Sequence, residues 1–266
     1  MLETLTLMFI GAIAGVMAGL LGIGGGLIVV PALLFWLPSL GVPPDDALHV
    51  AVATSLASIS VTASASAWAH YRRGAVNVRA LAWLTPGLLI GSGVGAVLVA
   101  GISRPALTLF VALFCLFAAW QIAKPRSEPA GDAQALRGRW LAPGGLLIGA
   151  VSAAVGIGGG SLTVPLLYRL GAPLRTAIAT SAAAGLPIAL AGTIGYACAD
   201  SVAGLSRWAI GLVDLKLALA IGSLSVLTAP LGASLAHRWP VERLKRVFAG
   251  WLLVVALLLL ANLLQP

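Results

Sequence analysis

The sequence predicts an all-α polytopic membrane protein built from two inverted-topology repeats, each with a broken or re-entrant helix at a Gly-Ile-Gly-Gly-Gly motif. Three observations lead to this prediction: the scarcity of charged residues, an internal duplication, and the one-sided distribution of Lys and Arg between the apolar stretches. The first observation indicates that the chain lies in a membrane, the second that it contains two repeats, and the third that the repeats run in opposite directions.

Apolar residues dominate the composition. Of the 266 residues, 60 % are hydrophobic and 9 % are charged, and the mean hydropathy is +1.03. A soluble domain carries about 25 % charged residues because water solvates its surface. We therefore expect most of this surface to contact the lipid bilayer. Most of the apolar stretches reach the ~20 residues that a spanning helix requires: Leu5–Leu37, Ala47–His70, Leu81–Ile102, Pro105–Ala123, Trp140–Leu167, Thr176–Cys198, Leu215–Ala236 and Val247–Leu264.

Several other classes of protein are excluded by the residue pattern. The formal net charge of +8 does not indicate nucleic-acid binding, because the Lys and Arg residues lie in short loops between apolar stretches. Cys115 and Cys198 lie inside apolar stretches without metal-ligand spacing, so we expect packing roles and no metal site. No catalytic motif is present, which predicts neither an enzyme nor a cofactor. The first residues lack a positive segment, and we expect no removable signal peptide.

An internal duplication divides the chain into two halves. We predict a first transmembrane repeat at 1–123, a polar cytoplasmic linker at 124–139 and a second transmembrane repeat at 140–266. The matching segments are 22–26 with 156–160 (Gly-Ile-Gly-Gly-Gly in both), Pro31 with Pro165, and 51–55 with 177–181 (Ala-Val-Ala-Thr-Ser and Ala-Ile-Ala-Thr-Ser).

The positive charges indicate that the halves are inverted. If each apolar stretch crossed the membrane once, Lys and Arg would divide nine to seven between the two sides, which contradicts the positive-inside rule. If the chain reverses at each Gly-Ile-Gly-Gly-Gly motif, thirteen of the sixteen share one side, which we take as cytoplasmic. The three on the other side are Arg104, Arg207 and Lys216.

The length of the first apolar stretch supports such a reversal. Leu5–Leu37 would form ~50 Å of straight helix, whereas the hydrocarbon core is ~30 Å thick. Each half then makes an odd number of crossings, which is an architecture of secondary transporters. Two forms of the reversal stay open: a re-entrant hairpin, or an extra pair of full spans.

The two glycine motifs are the main candidates for a binding site. Three consecutive glycines destabilise a helix by ~1 kcal/mol each, and these lie at membrane depth. One interpretation is close helix packing or a tight turn. The other is a broken helix whose free N–H groups bind an anion near the repeat interface, and the duplication favours it. The candidate residues are Gly22, Gly24, Gly25, Gly26, Gly156, Gly158, Gly159 and Gly160.

Hydroxyl and charged residues supply further candidates. Thr54, Ser55 and their copies Thr180 and Ser181 could donate hydrogen bonds to an anion, although Ser and Thr also pack helices closely. Arg175 is the candidate cation at a pore mouth, and His49 holds the equivalent position in the first half. Proton coupling would require a titrating residue, for which His49 and Asp214 are candidates.

With its paired glycine motifs, each followed by Pro31 or Pro165 and by an Ala-Thr-Ser block, the chain resembles the TauE/SafE family of sulfite and organosulfur-anion exporters over essentially its full length. The resemblance implies a multi-pass carrier in the cytoplasmic (inner) membrane of a prokaryote that exports small sulfur-containing anions such as sulfite or sulfoacetate. We expect a secondary active transporter that works by alternating access. A passive anion channel of the same architecture and a membrane accessory protein without transport activity stay open as alternatives.

Overall fold

The computed structural model describes residues 2–22, 24–123, 141–235 and 242–263. The predicted linker at 124–139 lies outside these ranges, as do Ile23 and Trp140, so the predicted repeat boundaries stay predictions. The side chains of Arg243 and Lys245, both counted on the cytoplasmic side, are likewise not described.

The described chain is almost entirely helical, which confirms the predicted all-α polytopic membrane protein. Six of its helices are long and apolar enough to cross a membrane: α3, α4, α5, α8, α9 and α10. The first half contains α1 (Leu2–Leu21), α2 (Gly26–Trp36), α3 (Ala47–Arg72), α4 (Val78–Ala100) and α5 (Arg104–Ala123). The second half contains α6 (Leu141–Val155), α7 (Gly160–Arg169), α8 (Leu174–Ala197), α9 (Leu215–Leu235) and α10 (Glu242–Leu263). A 3-10 helix, Leu37–Leu40, follows α2, and two short antiparallel strands, β1 (Ala209–Ile210) and β2 (Val213–Asp214), precede α9.

Both glycine motifs interrupt the helices that contain them. Gly22, Gly24 and Gly25 separate α1 from α2 and have φ angles of 68°, 82° and 78°. Gly156 and Gly159 separate α6 from α7, and both have a φ of 74°. Side chains larger than hydrogen disfavour this left-handed region, so glycine allows the chain to leave one helix and begin the next.

Equivalent central helices of the two halves run in opposite directions. Helices α3 and α8 cross antiparallel, because Gly192 packs against Leu56 and Gly185 packs against Ala63. Helix α9 begins where α3 begins, since the N–H of Asp214 donates to Thr54 Oγ1. We call this the Asp214 end of the bundle. The opposite end is the Asn77 end, where α4 and α8 begin and the N–H of Asn77 donates to Thr180 Oγ1.

The pair α1 and α2 forms a hairpin that enters from the Asp214 end. Glycines at every fourth position of α1 pack against the backbone of α9, with residues 11, 15 and 19 beside 221, 225 and 229. The two helices are therefore parallel, and α1 begins at the Asp214 end. Helix α2 leads back to that end, because Gly41 packs against Gly204, which lies in the loop between α8 and α9.

The pair α6 and α7 forms the corresponding hairpin from the Asn77 end. Residues 87, 91 and 95 of α4, again glycines at every fourth position, pack against 142, 146 and 150, so α6 runs parallel to α4. Helix α7 ends at Arg169, only a short loop before α8 begins at Leu174. Small residues at this spacing allow close helix contact. The reversals at both glycine motifs thus take the form of helical hairpins.

The described basic side chains are unequally distributed between the two ends of the bundle. Those at the Asn77 end are Arg72, Arg73, Arg79, Arg169, Arg175 and Arg246, and those at the Asp214 end are Arg104, Arg207 and Lys216. The described part of the chain thus has the charge asymmetry on which the sequence-based orientation depends.

Candidate functional site

The tips of the two hairpins meet at the centre of the bundle. A Cβ atom placed on Gly24 would lie 2.8 Å from the Cα atom of Gly158, and one placed on Gly26 would overlap the carbonyl oxygen of Gly156. Gly24 lies against Ile59, halfway along α3, and Gly158 lies against Gly185, halfway along α8. The tips therefore contact each other about midway between the two ends.

The tips contain backbone N–H groups that have no hydrogen-bond partner among the described residues. In each hairpin the carbonyl oxygen just before the returning helix accepts backbone hydrogen bonds. Gly25 O accepts the N–H groups of Ile28 and Val29, and Gly159 O accepts those of Leu162 and Thr163. The first N–H groups of a helix have no intrahelical acceptor. Eight N–H groups at the tips form no hydrogen bond with a described residue: those of the glycines at 24–26 and 158–160, and those of Leu27 and Ser161. The six glycines, with Gly22 and Gly156, are buried.

The duplicated serines bind the tip of the opposite hairpin. Ser55 Oγ donates to the carbonyl oxygen of Gly156 at 2.9 Å, and Ser181 Oγ donates to that of Gly22 at 3.1 Å. Both serines are fully buried. Their observed role is to position the backbone of the tips, and the two contacts are equivalent in the two halves.

The duplicated threonines hold the start of a neighbouring helix. Thr54 Oγ1 accepts the N–H of Asp214 at 3.1 Å, and Thr180 Oγ1 accepts that of Asn77 at 2.9 Å. Asn77 and Asp214 then cap α4 and α9, because their side-chain oxygens accept backbone N–H groups of the first turn. The threonine hydroxyls are thus already engaged in contacts that position α4 and α9.

Arg175 does not lie at the tips. It is exposed near the start of α8, ten residues before Gly185 and so about 15 Å along the helix from the tips. Its position is consistent with a cation at the Asn77 end of the bundle. Its equivalent, His49, is buried at the Asp214 end, where Nε2 hydrogen-bonds the carbonyl oxygen of Ile102 at 2.9 Å.

A cavity of about 980 Å³ opens at the Asp214 end. Asp45, Asp46, Asp200, Arg104 and His49 line it together with apolar and hydroxyl-bearing residues, and none of the glycines of the tips does. The guanidinium group of Arg104 donates to Asp45 Oδ1 and to Asn262 Oδ1, both at 2.8 Å. The three carboxylates and the one guanidinium among these side chains carry a formal charge of −2.

Comparison with known proteins places the chain in a family. The family model described as sulfite exporter TauE/SafE matches residues 7–259. The chain belongs to the TauE/SafE family. A probable membrane transporter protein of Haemophilus influenzae is 32 % identical over 255 residues, covering 94 % of this chain and 95 % of that protein. Similar proteins with the same description occur in Methanocaldococcus jannaschii (27 % identity; 96 % and 94 % coverage) and Xylella fastidiosa (30 % identity; 93 % and 91 %).

No solved structure matches the chain. The family and these relatives make the chain a multi-pass membrane transporter of the TauE/SafE type.

Three buried hydroxyl groups lie beside the second tip of this TauE/SafE protein and were not among the candidates predicted from the sequence. Ser152, Ser161 and Thr163 are 0 %, 4 % and 0 % exposed, and their hydroxyl oxygens have no hydrogen-bond partner among the described residues. A residue-by-residue comparison of the two copies of the motif could have found them. The first copy has Ala, Leu and Val at the equivalent positions 18, 27 and 29.

Proposed function

We propose that this chain is a secondary active transporter that exports small sulfur-containing anions, such as sulfite or sulfoacetate, across the cytoplasmic membrane of a prokaryote by alternating access. The anion binds where the two hairpin tips meet. The two glycine segments supply backbone donors, the duplicated serines fix the shape of those segments, and Arg175 with its basic neighbours attracts the anion to the Asn77 end.

The observation that carries this proposal is the convergence of two helix N-termini at the bundle centre, with N–H groups that no described residue accepts. The positive ends of helix dipoles and free N–H groups favour an anion. Several N–H groups can converge on the oxygens of a pyramidal or tetrahedral oxyanion without a buried cation, whose desolvation would be costly. Binding by such neutral donors is also reversible, as a carrier requires.

Hairpins that enter from opposite ends support alternating access. Each hairpin lies between the central site and one end of the bundle, so movement of one hairpin at a time would open the site to one side only. Such broken helices, related by an inverted repeat, form the substrate sites of several known transporter folds. A passive channel of the same architecture would instead need both ends open together.

The charge distribution supports the direction of transport. The basic Asn77 end faces the cytoplasm by the positive-inside rule and raises the local concentration of anions there. The cavity at the Asp214 end then faces the periplasm, and its net negative charge repels an external anion. This asymmetry lowers the affinity of the transporter for anions outside the cell. It does not change the equilibrium distribution of the anion across the membrane, which an ion gradient must set.

Proton coupling stays a prediction, with His49 as the better of its two candidates. The carboxylate of Asp214 accepts hydrogen bonds from Ser206, Lys216 and Leu217 and serves as a helix cap. His49 lines the periplasmic cavity, and its Nε2 forms a hydrogen bond with the carbonyl oxygen of Ile102.

Reconstitution of the purified protein in liposomes tests this proposal. The flux of sulfite, sulfoacetate, thiosulfate, sulfate and taurine is measured with and without an imposed proton gradient. We expect saturable flux of at least one sulfur anion and uphill movement when a gradient is applied. Flux that does not saturate and is never driven uphill would establish the channel instead. If no anion binds or moves, the chain is not an anion carrier.

A further inference from the structure

We propose that the hydroxyl groups of Ser152, Ser161 and Thr163 bind the oxygen atoms of the transported anion, so that one hairpin supplies every side-chain donor of the site. The inference rests on the proposed function and makes the anion site chemically asymmetric. The first hairpin then contributes backbone N–H groups alone.

The first argument is the lack of partners for these hydroxyls. A buried polar group without a hydrogen bond costs stability, and nearly all such groups in folded proteins are paired. Ser152, Ser161 and Thr163 are more than nine-tenths buried and unpaired within the described structure. Ser and Thr commonly bond a carbonyl of the preceding helical turn, as Thr85 does with Leu81 O at 2.8 Å. The second hairpin therefore holds three donors that its own backbone does not use.

The second argument is the position of these hydroxyls around the tip. Ser152 Oγ lies 3.2 Å from the site of a Cβ on Gly159. Ser161 and Thr163 are the second and fourth residues of α7, which begins at Gly160. Helical side chains tilt toward the helix N-terminus, and thus toward the tip. Residues two apart are about 200° apart around the axis, so these two hydroxyls reach the start of α7 from different sides.

The third argument is the contrast between the two copies. The motifs align without a gap, yet the positions equivalent to the three hydroxyls are Ala18, Leu27 and Val29. Packing alone would need no hydroxyl at these places, since the first tip packs with apolar residues there. Both returning helices begin at the third glycine of the run, and the backbone differs at one glycine of the tips, since φ is positive at Gly24 but not at its equivalent Gly158.

The test uses the purified full-length protein, with Thr163→Val, Ser161→Ala and Ser152→Ala made singly and together. Removal of an unpaired hydroxyl should leave the melting temperature of the anion-free protein unchanged or raise it. The Kd for sulfite should rise about tenfold or more for each substitution, as expected for a lost hydrogen bond to a charged group. Thr85→Val and Ser60→Ala are the matched controls, because both hydroxyls bond a carbonyl one turn earlier.

The outcomes separate this inference from the proposed function. If the wild type binds sulfite and Thr163→Val and the triple variant bind it with the same Kd, the three hydroxyls are not ligands and the transporter assignment stands. If the variants lose stability in the absence of the anion and keep their affinity, the hydroxyls are structural, and the inference is wrong. If the wild type itself binds no member of the sulfur-anion panel, the proposed function is wrong, and the inference with it.

Discussion

At the scale of single residues, the duplicated Thr-Ser blocks make contacts that the sequence alone does not reveal, because the two partners lie far apart in the chain. Ser55 and Gly156 are 101 positions apart, and Ser181 and Gly22 are 159 apart. The duplication identified both serines as candidates, but a periodic pattern within one helix cannot reveal that each bonds the opposite hairpin. The bonds support the packing alternative for Ser55 and Ser181, with the added role of positioning the tips.

The serine contacts lead to a prediction about stability. Ser181→Ala leaves the buried carbonyl of Gly22 without its donor, which should cost about 1–3 kcal/mol of unfolding free energy. Ser55→Ala should cost a similar amount through Gly156. Thermal unfolding in detergent measures both changes. Ser60→Ala is the control, since its hydroxyl bonds only Leu56 O on its own helix. Equal melting temperatures for all three variants would show that the serines do not hold the tips.

The hydroxyls at Ser152, Ser161 and Thr163 mark the part of the site that sequence reasoning did not predict. Their significance depends on burial and on the absence of a hydrogen-bond partner among the described residues, and both appear only in three dimensions. The sequence did contain a signal, since polar residues replace apolar ones between two otherwise matching copies.

At the scale of elements, the glycine motifs were the most predictable feature. Left-handed φ angles and three glycines in a row make a continuous helix unfavourable, and the excess length of Leu5–Leu37 required a break. The choice between a hairpin and two full spans could not be made from length alone. It depends on where α2 and α7 lead, and the structure returns each to the end of the bundle at which its hairpin began.

Cysteine labelling tests the entry sides of the two hairpins. Ser39, just after α2, and Arg169, at the end of α7, are both exposed. In a Cys198→Ser background, an impermeant maleimide added outside intact cells should label Ser39→Cys and not Arg169→Cys. Inverted vesicles should give the reverse result. Labelling of both positions from the same side would contradict the arrangement of opposed hairpins. Cys115 is buried and needs no replacement.

At the scale of the whole molecule, the two ends differ in charge. The basic residues of the Asn77 end and the acidic cavity of the Asp214 end give the bundle an electrical polarity along its length. The distribution of Lys and Arg in the sequence predicted that one end would be basic. The cavity could not be predicted, because Asp45, Asp200 and Asn262 come together only after the halves pack against each other.

The acidic cavity predicts weak binding from outside. Asp46→Asn together with Asp200→Asn removes two negative charges and leaves the pair of Arg104 and Asp45 intact. The KM for external anion in oriented proteoliposomes should fall about two- to fivefold at low ionic strength, and salt should reduce the effect. An external KM that does not change even at low salt would show that the cavity does not lie on the path of the anion.

The central claim is that the two glycine tips form the anion site, and equilibrium binding by glycine variants tests it most directly. Gly25→Ala and Gly159→Ala add a side chain at left-handed positions where it contacts Ala14 or Ile188. Gly41→Ala and Gly74→Ala are matched controls, because both glycines have positive φ and no atom of the described chain lies within 4 Å of the added carbon. The comparison is made on variants that purify as a single species and melt within the range of the controls. The account predicts that the tip variants lose sulfite binding while the controls retain the wild-type Kd. A stable tip variant that binds sulfite with the wild-type Kd would place the site elsewhere and contradict the account.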